Sequence, residues 1–136
     1  MITSIVADFI KTGLGLDKID YGLITIPESK KRGVRINLIR VEKSGETNNS
    51  LNMFINEYKV QYYETTKSGY FDKLDEMVNK ITNLDDFEID FTSLSDYKIE
   101  EAKVVEINPL TYNNDFDGLI FIEFVFLVKY SKIIGG

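Results

Sequence analysis

Residues 119–130 constrain the fold more than any other stretch. One side of the alternation carries Ile120, Ile122, Phe124, Phe126, Val128 and Tyr130. The other carries Leu119, Phe121, Glu123, Val125, Leu127 and Lys129, apolar through its middle. A period of two over this length reads as a β-strand. A strand apolar on both sides needs cover on both. It is therefore central in its sheet or covered on its outer side by a partner.

Two further strands are legible upstream. In 34–43, Val34, Ile36 and Leu38 alternate with Arg35, Asn37 and Ile39. In 53–66, Tyr58, Val60 and Tyr62 fall on one face and Lys59, Gln61 and Tyr63 on the other. Residues 97–107 alternate less well but include Val104, Val105 and Ile107, and Pro109 is expected to end them. Short strands are also expected over 21–27, ended by Pro27, and over 87–91. The polar segments 28–33, 44–50 and 110–118 read as loops or turns, and 44–50 is expected to project until a partner orders it.

Helical periodicity occurs twice. Ile2, Ile5, Val6, Phe9 and Ile10 form one stripe, which Gly13 and Gly15 should terminate. Tyr70, Leu74, Met77, Val78 and Ile81 form the second within 70–84, opposite Asp72, Asp75, Glu76, Asn79 and Lys80. Ser68 is the expected N-cap. Helix, strands, helix, strands is the order of an α+β domain with a mostly antiparallel sheet. Two helices cannot cover both faces of every strand. They are expected to share one face, leaving apolar area for neighbouring subunits. A chain of 136 residues fits one domain, 1–136.

Composition narrows the chemistry. The chain has no cysteine and no histidine, which excludes thiolate nucleophiles, Cys/His zinc sites and imidazole bases. Gly13-Leu-Gly15 lacks the third glycine of a phosphate-binding fingerprint and follows a helix. The densest acids are Asp85, Asp86, Glu88 and Asp90, and Asp115 and Asp117 precede Gly118. Neither group has the twelve-residue calcium-loop pattern. No catalytic, metal or cofactor residue is therefore assigned, and the expectation is a protein that is not an enzyme.

The net charge is -6, which disfavours general binding to nucleic acid. Residues 1–43 hold eight Lys/Arg against five Asp/Glu, whereas residues 44–136 hold eight against seventeen. Such a split has two readings, a solvated surface with chance asymmetry or a bipolar subunit whose basic surface meets a neighbour's acidic one. Residues 1–10 lack a basic leader, and 119–128 are too short to span a bilayer as a helix. These features lead to the expectation of a soluble intracellular protein without a membrane partner.

The order of elements adds a resemblance. The helix ending at Gly13 is followed by the segments 21–27 and 34–41, the polar tip 44–50, the strand 58–66, the amphipathic helix 70–84, and a pair of strands ending in 118–130. This order resembles the tail terminator, or tail completion, proteins of tailed bacteriophages, also called minor capsid proteins. The acidic segment 85–101 is a departure from that pattern. The resemblance implies a structural virion protein at the tail and neck, made in the host cytoplasm. It implies a ring of six on the last ring of the tail tube. That ring stops polymerisation and offers a surface to head-completion or connector proteins and, in contractile tails, to the sheath. DNA would pass through its lumen without specific binding. Other neck or tail parts remain open: a tube subunit, a head–tail stopper or a bacteriocin-type component. A small ligand-binding regulatory domain is the alternative of another class.

Overall fold

In the computed structural model, the described residues are 2–16, 32–44, 52–65, 69–86, 97–110 and 119–132. The elements run α1 (Ile2–Gly13), β1 (Arg32–Ser44), β2 (Asn52–Thr65), α2 (Tyr70–Thr82), a 3-10 turn (Asn83–Asp86), β3 (Tyr97–Leu110) and β4 (Leu119–Lys132). The strands form one antiparallel sheet in the order β1-β2-β4-β3. The fold is α+β, as the periodicity predicts. The expected strands 21–27 and 87–91, the tip beyond Ser44 and the cap Ser68 lie outside the described residues.

β4 is an interior strand, paired with β2 on one side and β3 on the other. Its even-numbered residues, from Ile120 to Tyr130, are buried. They join Val34 and Ile36 of β1 and Tyr58, Val60 and Tyr62 of β2 in a single apolar cluster. Ile2, Val6, Ala7, Phe9 and Ile10 of α1, Leu14 and Leu16 just after it, Met77 and Ile81 of α2, and Leu84 of the 3-10 turn also belong to it. Phe9 meets Phe126 with ring centroids 5.7 Å apart. The opposite side of β4 is only partly covered: Phe121 is buried against Tyr63, whereas Val125 and Leu127 are half-exposed.

Edge strands β1 and β3 carry irregularities that the interior strands do not. In β1 the register slips at Ile39, because Leu38 pairs with Tyr58 and Arg40 with Glu57. In β3 it slips at Glu100 and again at Val105. Each extra residue resets the side-chain alternation. The inward apolar positions of β3 are therefore Ile99, Ala102, Val104 and Ile107, which explains why its sequence alternates poorly. Pro109 does not end this strand; β3 continues through it to Leu110. An edge position tolerates the missing N–H, since no further described strand needs it.

The helix ends follow local chemistry. Gly15 has φ 71°, and it donates its N–H to Thr12 O at 3.1 Å while Leu16 N–H reaches Lys11 O at 2.9 Å. These paired bonds, with a left-handed glycine and a buried Leu16, form a Schellman stop. Gly13 leaves room for a neighbour: a Cβ there would push aside the end of the Leu84 side chain from the 3-10 turn. At the start of α2 the N-cap is Gly69, left-handed at φ 72° and without a side-chain cap bond. The α-helix stops at Thr82, and Leu84 enters the core from the 3-10 turn instead. Tyr70, expected in the apolar stripe, is 40% exposed, because the helix meets the core only from Leu74 onward.

Candidate functional site

Three polar constellations stand out. The first is buried at the α1 side of the sheet. Tyr130 donates its hydroxyl to Asn56 Oδ1 at 3.1 Å, and Asn56 Nδ2 donates to the Tyr58 hydroxyl at 2.9 Å. Having accepted from Asn56, the Tyr58 hydroxyl can direct its own proton to Thr3 Oγ1, 3.2 Å away on α1. Asn56 and Tyr58 stand two residues apart on β2, and Tyr130 is the cross-strand partner of Phe54. Phe54 stacks on the Tyr130 ring at 5.6 Å, and Tyr97 meets it edge-on at 5.7 Å. The chain of bonds pairs Asn56, Tyr58 and Tyr130 with one another and with Thr3, and so fixes the seat of α1.

Burial pushes the Tyr130 hydroxyl above the usual phenol range; the neighbouring Tyr58 adds to the rise and the Asn56 bond opposes it. The native state therefore holds this proton to higher pH than the unfolded chain does. The resulting stability is present below about pH 10, the ordinary phenol value, and is lost as pH climbs through the folded value. Tyr130→Phe is expected to cost about 1–2 kcal/mol at neutral pH, by leaving Asn56 Oδ1 without its donor. The variant should also lose stability less steeply than the parent above that pH. Urea midpoints measured from neutral to alkaline pH check both effects.

The second constellation joins α2 to the sheet. Glu64 is a buried carboxylate on the same face of β2 as Tyr62. It accepts the Tyr62 hydroxyl, and it meets Lys73 Nζ at 3.1 Å and Lys80 Nζ at 3.3 Å. Lys73 and Lys80 lie seven residues apart, two helical turns, and so share one side of α2. Glu76, between them, is 3.5 Å from each. Sequence reading put Lys80 on the solvent side; it is half-buried and turned to the sheet. Two signals could have found this cluster: Glu64 has the inward parity of Tyr62, and the lysines repeat with period seven.

The third lies on the side of the sheet facing away from Phe9. Arg35, Gln61 and Glu123 form one cross-strand row. Gln61 Nε2 donates to Glu123 Oε2 at 3.3 Å, and Lys59 Nζ is 3.4 Å from Glu123 Oε1. Arg35 Nε and Nη1 are buried without a hydrogen-bond partner, and so is Gln61 Oε1. Buried guanidinium N–H groups without an acceptor are costly, and an acceptor supplied by a neighbour would remove that cost. Next to this row, Gly33 lets the Tyr63 ring lie flat: a Cβ there would stand 2.6 Å from Tyr63 Cζ. Tyr63 in turn stacks on Phe121 at 5.6 Å.

The edge strands complete the picture. On β1, Leu38, Ile39 and Val41 are 43%, 49% and 52% exposed around the bulge. On β3, Val105 is 46% exposed at its own bulge, beside a cavity of about 300 Å³ lined by Thr82, Val104, Val105, Glu106 and Ile107. Exposed apolar residues on open edges are what soluble monomers avoid and assembly subunits use. The acids Glu88, Asp90, Asp115 and Asp117 lie outside the described residues, as do the side chains of Asp85 and Asp86. Among the described residues, no group of three or more acids could hold a metal ion. No helix among them is long and apolar enough to cross a membrane.

Among the described residues, the fold is α+β, a four-stranded antiparallel sheet with β1 and β3 as its edge strands. No protein-family model matches the chain, and no curated protein is significantly similar to it.

Proposed function

We propose that this chain is a structural subunit of a tailed-bacteriophage particle. It caps the tail tube as a ring of six, stops tube polymerisation and presents the joining surface for head-completion proteins. The observation that carries an assembly role is the open β1 edge, where Leu38, Ile39 and Val41 stand exposed together. The particular assembly comes from the resemblance in element order. In this reading both helices sit on one face of the sheet, supported by Phe9 against Phe126 and by the reach of Lys73 and Lys80 to Glu64. The other face and the two edges are left for neighbouring subunits, the tube and the connector. A net charge of -6 suits a lumen through which DNA slides without sticking.

The test is to mix the purified chain with the tail tube protein of the same particle and examine the product by negative-stain electron microscopy. The expected result is tubes of limited length, each closed by a single ring at one end. Long tubes formed by this chain alone would make it a tube subunit instead. A chain that stays monomeric and leaves the tubes growing unchecked overturns the proposal.

A further inference from the structure

The geometry points to the joint between subunits: the outer edge of β1 in one copy pairs antiparallel with the outer edge of β3 in the next. This inference rests on the assembly reading above and names its interface. Four observations converge on it.

The first is direction. Every neighbouring pair in β1-β2-β4-β3 is antiparallel, so β1 and β3 run in opposite senses. A second copy set beside the first, in the same orientation, brings its β3 against β1 and continues the alternation. Such a contact is heterologous, and repeated it closes a ring or runs on as a fibre. The second is length: β1 has 13 residues and β3 has 14, so neither edge overhangs the other much.

The third is charge. β1 carries Arg32, Arg35, Arg40 and Lys43 against one acid, Glu42. β3 carries Glu100, Glu101 and Glu106 against Lys98 and Lys103. The rows across the sheet fix how these can meet. Straight continuation would set Arg40 beside Lys103, because Arg40 pairs with Glu57, Glu57 with Leu127, and Leu127 with Lys103. It would also set Glu42 beside Glu101 by the same tracing. Like charges directly opposite are unfavourable. A slip by one side-chain pair reverses this. Arg35 then meets Glu106, Arg40 meets Glu101 and Glu42 meets Lys98. On the other face Leu38 covers Ala102, and Val41 covers Ile99. A stagger between neighbours is also what a sheet needs to close on itself.

The fourth is an unmet need. Arg35 Nε and Nη1 have no acceptor among the described residues. The slipped register places Glu106 of the neighbour opposite that guanidinium. Arg40 now rests on Glu57 at 3.1 Å and Glu42 at 3.2 Å, and Glu101 on Lys103 at 3.1 Å. Exposed pairs of this kind hold weakly and exchange readily.

The chain has no cysteine, so engineered thiols report on this joint alone. The experiment compares two double variants of the full chain, Arg40→Cys with Glu101→Cys and Arg40→Cys with Lys103→Cys, under mild oxidation at increasing concentration. Directly opposed residues have Cβ atoms roughly 4.5–5.5 Å apart and diagonal ones roughly 7–8 Å, so disulfides form efficiently only in the true register. The expected result is a ladder of linked subunits from the 40/101 pair. A ladder from the 40/103 pair alone overturns the register, and no ladder from either overturns the joint. A 40/101 ladder that continues past a closed ring keeps the joint and removes the terminator reading. As a second measurement, Arg40→Glu should weaken association about fivefold per contact. Adding Glu101→Arg to the same chain should restore it; failure to restore it overturns the pairing.

Discussion

Phe126→Ala is expected to cost about 3–5 kcal/mol, a large part of what holds a domain of this size together. Phe126 is fully buried in the middle of β4. It has Tyr58 beside it on β2, Val104 beside it on β3, and Phe9 above it on α1. Truncation removes a ring and leaves a hole that three elements would have to shift together to fill. The strand partners are fixed by their ladders, so little collapse is available and the cost should lie high in the range. Phe71→Ala is the matched control, because Phe71 is 76% exposed at the start of α2. It should change stability by no more than about 0.5 kcal/mol. Urea unfolding followed by tyrosine fluorescence reads both. Equal losses would mean that Phe71 is covered by something other than the described residues of one chain.

How much of this was legible in the sequence depends on regularity. β4 pairs with β2 without a register slip, so its alternation reads directly, and of the two readings that its apolar sides allow, the sheet shows the interior strand. The stripe of α1 reads as directly, and so does its glycine stop. β3 resisted because bulges at Glu100 and Val105 shift the inward set to uneven spacing. A bulge has no fixed residue signature outside glycine, so pattern counting cannot place it. Long-range polar pairing resisted for another reason. Glu64 shares the inward parity of Tyr62, but only the sheet and α2 together bring Lys73 and Lys80 to it. The Tyr130–Asn56–Tyr58–Thr3 relay likewise joins residues from three elements. Parity and period mark candidate residues in the sequence, but they do not say which of them meet. The open edges are legible only after topology is known, since any strand can be an edge until its neighbours are assigned.

Glu64 supports the second large effect, and the expected result is an asymmetry. Its side chain is 6% exposed, whereas those of Lys73 and Lys80 are 22% and 31% exposed. The lysines can turn their ammonium groups to water if the acid is removed, because long cationic side chains extend readily to solvent. The acid has no such escape. Lys73→Met with Lys80→Met keeps the aliphatic stems and leaves the carboxylate leaning on the Tyr62 hydroxyl. Stranding a buried charge in this way should cost about 3–5 kcal/mol. Glu64→Gln keeps a hydrogen-bonding group beside Tyr62 and frees two partly solvated lysines, so its cost should be smaller, about 1–2 kcal/mol. Replacing all three by Glu64→Leu, Lys73→Met and Lys80→Met should recover most of the loss, since apolar groups of similar volume often substitute for a buried ion cluster without penalty. Denaturant unfolding of the four proteins measures the set. A double lysine variant that loses less than about 1 kcal/mol would show that Glu64 reaches water by a small shift of α2, and that this helix is held by its apolar face, Leu74, Met77, Val78 and Ile81.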